Sequence, residues 1–134
     1  MLDKELLELA IEARKKSYSP YSNFRVGAAL LTKSGKVYGG CNIENAAYTP
    51  TNCAERTAIF KAVSEGEREF AAIAIVGGKG EEPADFCAPC GICRQVLAEF
   101  CDLDFRIVLG TPENIRVYTL AELLPLSFGK ADLK

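Results

Sequence analysis

Three cysteines, Cys53, Cys90 and Cys93, stand in a chain that contains no histidine. A metal ion held by all three would tie residue 53 to residue 90 and so fix much of the fold between them. The lack of imidazole is as restrictive. Ser-His-Asp and Cys-His catalysis are excluded, as are histidine-based zinc triads, unless a partner chain supplies the ring. Chemistry in this chain must run on thiolates, carboxylates and a borrowed metal. One carboxylate, Glu55, lies two residues after the first of the three cysteines.

The remaining composition narrows the setting. A chain of 134 residues suits one domain with one core, read here as residues 1–134. Hydrophobic residues make up 49% and charged residues 25%, as in ordinary globular proteins. The net charge of -2 argues against a nucleic-acid partner, which usually meets a basic face. No apolar run approaches the roughly 20 residues needed to span a bilayer. Met1-Leu2-Asp3-Lys4-Glu5 is acidic and amphipathic, unlike a secretory signal. A cytoplasmic setting without nucleic acid or membrane is expected. There the six cysteines, at 41, 53, 87, 90, 93 and 101, are ligands or buried thiols rather than disulfides.

The pattern of apolar residues gives the order α-β-β-α-β-α-β-β-α. Asp3 is expected to cap a helix to about Lys16, with Leu6, Leu9, Ala10 and Ala13 on its inner face. Ser19 to Asn23 reads as a loop. Val26 to Thr32 and Lys36 to Ile43 flank Lys33-Ser34-Gly35 as a hairpin. Cys53 to Ser64 is helical, and Gly66 stops it. Phe70 to Val76 is apolar throughout, as in a strand buried on both faces. A helix from about Cys90 to Phe100 follows, with Pro89 at its start. Phe105 to Leu109 and Ile115 to Tyr118 are strands, and Thr119 with Glu122 forms a capping box for a last helix. This alternation predicts an α/β fold, a mixed sheet of about five strands between helical layers.

Cys90 and Cys93 form a C-x-x-C corner at a helix start, and Cys53 opens another helix. Two helix N-termini facing one point favour thiolates there. Three protein ligands leave a tetrahedral zinc one open position, the catalytic pattern. Zinc with three thiolates still carries net negative charge. That gives Arg56, an unusual cation for a first helical turn, a reason to donate hydrogen bonds to ligand sulfur. A solvated surface arginine is the plainer reading of Arg56, and more so of Arg94. Glu55 alone would be an ordinary first-turn glutamate; beside three thiolates it is a candidate proton shuttle. Other readings stay open at this level. A fourth sulfur from Cys41, Cys87 or Cys101 would close a structural zinc site. Cys87-Ala88-Pro89-Cys90-Gly91-Ile92-Cys93 also matches an iron–sulfur spacing, although Asp102 follows Cys101 where that run has proline. A redox C-x-x-C would leave Cys53-Ala54-Glu55 without a role. Cys41 and Cys101 read as buried small hydrophobes, and Cys87 as a free thiol near the site entrance.

Cys53-Ala54-Glu55 and Pro89-Cys90-Gly91-Ile92-Cys93 resemble the cytidine deaminase family of zinc hydrolases, whose signature pairs a His or Cys ligand and a nearby non-ligand Glu with P-C-x-x-C. Ser19 to Leu30 resembles the family's N-terminal strand region, Asn42 to Tyr48 its nucleoside-binding segment, and Leu123-Leu124-Pro125 its C-terminal motif. The resemblance covers nearly the whole chain. It implies a three-layer α/β/α sandwich and a homotetramer with one zinc ion per subunit on Cys53, Cys90 and Cys93. It makes Glu55 the catalytic acid and base. Asn42 and Glu44 would hold the ribose 3'-hydroxyl, Phe24 would pack on the nucleoside, and the backbone around Ala54 would meet the pyrimidine carbonyl. Tyr48 and Phe128 would complete a neighbouring subunit's site. Ala88 departs from the Ser or Thr common before the metal-binding proline; a backbone carbonyl is what that position supplies. The implied reaction is water-dependent deamination of cytidine and deoxycytidine in pyrimidine salvage, with release of ammonia. A carboxylate on the 3'-hydroxyl would repel a 3'-phosphate, which favours small-molecule nucleosides over polynucleotides.

Overall fold

Alternation along the central strands sends two different kinds of side chain to the two faces of one sheet. In the computed structural model, which describes residues 1–83 and 86–133, the strands are Arg25–Thr32 (β1), Val37–Cys41 (β2), Phe70–Gly78 (β3), Arg106–Thr111 (β4) and Asn114–Thr119 (β5). Their spatial order is β2-β1-β3-β4-β5. β3 and β4 pair parallel and the other neighbours antiparallel, so the sheet is mixed. One face presents Ala29, Ala72, Ala74, Val76 and Val108 to Leu6, Leu7 and Ala10 of the helix Asp3–Arg14 (α1). The other presents Ala28, Leu30, Ile73, Ile75, Ile107 and Leu109 to the helices Ala54–Ser64 (α2) and Gly91–Phe100 (α3). The result is the expected three-layer α/β/α sandwich. A short helix Leu120–Leu123 (α4) and a 3-10 turn Lys130–Leu133 follow. No helix among the described residues is long and apolar enough to cross a membrane.

Small residues set how close the layers come. A Cβ on Gly27 would lie 2.1 Å from the carbonyl oxygen of Ala10, so α1 lies directly on β1. A Cβ on Gly40 would lie 2.5 Å from Ala54 O and 2.6 Å from Ala58 N, so the first turns of α2 rest on the edge strand β2. That second contact fixes where the N-terminus of α2 points.

The expected elements are all present, with local differences. Leu2, not Asp3, precedes the first helical turn, and its N–H donates to Glu5 Oε1 at 2.8 Å. Asp3 is free for another task and accepts from Arg106 Nη2 at 2.5 and 2.6 Å. Leu9 is exposed and Leu7 buried, because the inner stripe runs through Leu6, Leu7, Ala10 and Arg14. β2 ends at Cys41 rather than Ile43. Ile43 instead bridges to Tyr18 and to Asn52, which brings segments 17–19, 42–44 and 52–53 side by side. Thr119 and Glu122 make the reciprocal bonds of the capping box at 3.2 and 2.8 Å.

Candidate active site

Cys53 is the N-cap of α2 and Cys90 the N-cap of α3, both with extended backbone. Cys93 lies in the first turn of α3 and is buried. The two helix starts therefore deliver three sulfurs to one point, all within 4.8 Å of one another. Cys53 Sγ lies 3.7 Å from Cys90 Sγ, which lies 3.4 Å from Cys93 Sγ. Zn–S bonds of about 2.3 Å at tetrahedral angles need sulfurs about 3.8 Å apart. The donor set fits zinc in both chemistry and spacing. Cys41, Cys87 and Cys101 lie outside the group, so no fourth sulfur closes it and the iron–sulfur spacing through Cys87 does not assemble.

The sulfurs are electrically unequal. Hydrogen bonding from Cys93, then from Arg56 and Cys90, lowers the Cys53 thiol to about 5 against the cost of burial. The bond to that thiolate, then burial, raises the Cys93 thiol, whose proton a bound metal ion would displace. Arg56 donates from Nη2 to Cys53 Sγ at 3.3 Å. Its buried Nε has no hydrogen-bond partner, so sulfur is the acceptor this guanidinium has among the described residues. Arg56 thus lies within hydrogen-bond reach of the sulfur beside which its position puts it. Arg94 is neither a sulfur partner nor a solvated residue. It donates from Nε to Pro89 O at 2.7 Å and from Nη1 to Leu123 O at 2.6 Å, tying the metal corner to α4. Sequence reasoning missed this role, since nothing local marks a backbone acceptor 29 residues away.

Glu55 is 4% exposed and lines the same cleft as Cys53 and Cys90. Burial, reinforced by the Cys53 thiolate, pushes its carboxyl up to about 7. A carboxyl near neutrality in a cleft is poised to take and return protons. It is not part of the sulfur group.

The cleft holds about 350 Å³, within the range of small-ligand sites. Phe24, Val26, Asn42, Glu44, Ala54, Cys87 and Ala88 line it with Cys53, Glu55 and Cys90. Ala54, the first residue of α2, sits where a backbone N–H has no acceptor within its helix. Asn42 is largely committed to structure. Its Oδ1 accepts from Val26 N at 2.9 Å and from Ser17 Oγ, and its Nδ2 donates to Phe24 O at 2.8 Å. One amide hydrogen remains for a ligand. Glu44 Oε1 accepts from Tyr21 N and Ser22 N at 3.0 Å each, and Oε2 accepts from Ser22 Oγ. The Ser22 hydroxyl and backbone hold this carboxyl below its usual range, so it stays a charged acceptor with lone pairs to spare. Ser22 went unnoticed because its partner is 22 residues on.

Cys87 is a free thiol that lines the cleft. Its Sγ lies 2.7 Å from where a Cβ on Gly77 would be, and Phe24 Cε1 lies 3.0 Å from the same point. Burial raises the Cys87 thiol to about 11, so it stays neutral. Cys41 and Cys101 are half-buried rather than fully buried as expected, and partial burial raises the Cys41 thiol and takes Cys101 to about 12. Tyr48 and Phe128 do not line the cleft. They are 71% and 61% exposed. Tyr48, at φ 63°, meets the ring of Tyr21 edge-on with centroids 6.3 Å apart, and Phe128 O accepts from Gln95 Nε2 at 2.8 Å.

Comparison with known proteins agrees with this geometry. Residues 1–110 match the family model described as the cytidine and deoxycytidylate deaminase zinc-binding region. The chain is 51% identical to a cytidine deaminase of Sporosarcina psychrophila, over 97% of this chain and 93% of the relative. It is 51% identical to a cytidine deaminase of Halalkalibacterium halodurans, over 98% of each. The crystal structure of the cytidine deaminase from Burkholderia pseudomallei superposes with a TM-score of 0.88 at 50% identity, covering 96% of this chain and 100% of that one.

Proposed function

This chain belongs to the cytidine and deoxycytidylate deaminase family, and we propose that it hydrolyses cytidine and deoxycytidine to uridine and deoxyuridine with release of ammonia. The observation that carries the reading is the buried Glu55 carboxyl in the cleft beside three convergent sulfurs. Cys53, Cys90 and Cys93 would hold the zinc ion. Bound there, zinc supplies the activation of a water molecule at neutral pH. Glu55 takes a proton from the attacking water and passes it to ring nitrogen N3, which makes C4 electrophilic. After oxygen bonds to C4, Glu55 takes the remaining proton from that oxygen, which becomes the C4 carbonyl, and carries it to the exocyclic nitrogen. The C4–N bond then breaks and ammonia leaves. One carboxyl near neutrality suffices for both transfers in a site without histidine.

Phe24 forms an apolar wall for the nucleoside, and Glu44, with the spare hydrogen of Asn42, binds the ribose 3'-hydroxyl. The N–H of Ala54 meets the pyrimidine carbonyl, and the carbonyl of Ala88 faces the amino group. No group in the cleft requires a 2'-hydroxyl, so both sugars react. The anchored Glu44 carboxylate repels a 3'-phosphate, so the substrate is a free nucleoside and the role is salvage. Residues 1–134 act as one domain. A homotetramer explains the exposed Tyr48 and Phe128, which serve a neighbouring subunit's site. The six free thiols suit a reducing cytoplasm.

An absorbance assay with zinc-loaded protein on cytidine, deoxycytidine, deoxycytidylate and cytosine tests the reading. The first two are expected to lose absorbance as ammonia appears; no change with cytidine would reject it.

A further inference from the structure

Arg14 ends α1 and is 2% exposed, yet among the described residues it pairs with no carboxylate. Its guanidinium donates to four backbone carbonyls instead. Nε reaches Arg25 O at 3.0 Å, Nη2 reaches Gly78 O at 2.6 Å and Gly80 O at 2.5 Å, and Nη1 reaches Glu81 O at 2.8 Å. Arg25 and Gly78 are partners across the β1–β3 ladder, at the end of the sheet where both strands run into loops. Burying a charge is costly, and spreading it over four carbonyl dipoles offsets that cost. Such an expenditure on a loop junction asks for a purpose.

The purpose lies on the other side of the sheet. Arg14 approaches from the α1 face, where the backbone of Gly27 also meets it. Phe24, Val26 and Gly77 face the cleft side, and the ring of Phe24 lies over Gly77 beside Cys87. Consecutive carbonyls of the same segment are gripped from two directions: Phe24 O by Asn42 Nδ2 at 2.8 Å, and Arg25 O by Arg14 Nε at 3.0 Å. Together they fix the peptide planes that aim Phe24 into the cleft. We propose that Arg14 is a positioning residue for nucleoside binding, acting through Phe24, an inference that rests on the deaminase reading above. Only arginine offers donors in a planar fork, so lysine can replace part of the set.

The test is a double-mutant cycle on the zinc-loaded enzyme, with zinc content and melting temperature measured alongside kinetics. Arg14→Met is expected to raise KM for cytidine about ten-fold while kcat stays within about three-fold and zinc content is unchanged. Arg14→Lys should recover part of the loss. Phe24→Ala should raise KM similarly, and adding Arg14→Met to it should cost little more, since both act on one element. If Arg14→Met does not fold, the cycle is run with Arg14→Lys and judged alike. Additive KM effects, an unchanged KM with only a lower melting temperature, or joint loss of kcat and zinc would overturn the inference. A wild-type enzyme inert toward cytidine would instead remove the deaminase reading itself.

Discussion

Arg56 Nη2 stands 3.3 Å from Cys53 Sγ, the one in the first turn of α2 and the other its N-cap. Three thiolates and a divalent zinc leave one net negative charge, which blunts the metal as a Lewis acid. The guanidinium offsets that charge from within the shell. Arg56→Ala should lower kcat about ten- to hundred-fold, the usual worth of a hydrogen bond to a charged group. Zinc should stay bound, because the sulfurs remain. Metal content measured beside turnover separates the two effects; loss of zinc with normal turnover per zinc would contradict the assignment.

Glu55 is expected to do the proton work without holding the metal. Glu55→Gln keeps the shape and removes the titrating oxygen. Turnover should fall by about 10³-fold or more, because the same group serves two transfers. Zinc content should match that of the parent. Turnover within ten-fold of the parent would move the proton work elsewhere.

Gly40 connects packing to the metal site. A methyl group there has Ala54 O and Ala58 N at 2.5 and 2.6 Å, both backbone atoms that cannot swing aside. Gly40→Ala should lift the start of α2 from β2, at about 1–3 kcal/mol in stability. Since Cys53 caps that helix, zinc affinity should fall as well. Thermal melting and competition with a chelator measure the pair of effects. A stable variant with native zinc affinity would show that the contact is not what holds Cys53 in place.

The periodic elements were legible because their signals are local. The apolar run of β3, the caps of α2 and α3 and the Thr119–Glu122 box all lie within a few residues of what they organise. The three sulfurs and Glu55 were legible because chemistry restricts them to few residue types. What the sequence hid are side chains that act on distant backbone. Arg14, Arg94 and Asn42 spend their donors on carbonyls up to 67 residues away, and a carbonyl leaves no mark in sequence. The Leu7 and Leu9 exchange on α1 is a rotation of the inner stripe, which runs through Leu6, Leu7, Ala10 and Arg14.

Cys101 provides a pH test away from the metal. Burial, then the neighbouring Asp102, raises its thiol from 9 to about 12. A folded-state value above the unfolded one means the protonated form is favoured by folding. Its contribution is fully present below pH 9 and is lost as pH rises toward 12, at most about 4 kcal/mol at 1.36 kcal/mol per unit. Cys101→Ala should therefore flatten the fall of stability with pH in that window and leave the neutral range with only its packing cost. Denaturant midpoints at a series of alkaline pH values read the slope; equal slopes for parent and variant would place the thiol in water.

If Glu44 binds the ribose 3'-hydroxyl as proposed, it also sets what size of substrate enters. Its carboxylate is fixed by Tyr21 N, Ser22 N and Ser22 Oγ, so it cannot swing away from a ligand. A nucleoside with a free 3'-hydroxyl donates to it; a 3'-phosphate brings like charge to contact distance. The parent enzyme should therefore turn over cytidine and leave cytidine 3'-phosphate untouched. Glu44→Gln keeps an acceptor oxygen and removes the charge. It should raise KM for cytidine about ten-fold, in line with loss of a charge-assisted bond. It should also narrow the gap between cytidine and its 3'-phosphate, because the repulsion is gone while the steric limit stays. Ser22→Ala, which frees one oxygen, should produce a weaker version of the first effect only. Parallel kinetics on the two substrates distinguish charge from shape: a gap that survives Glu44→Gln undiminished would assign the exclusion to the cleft walls alone.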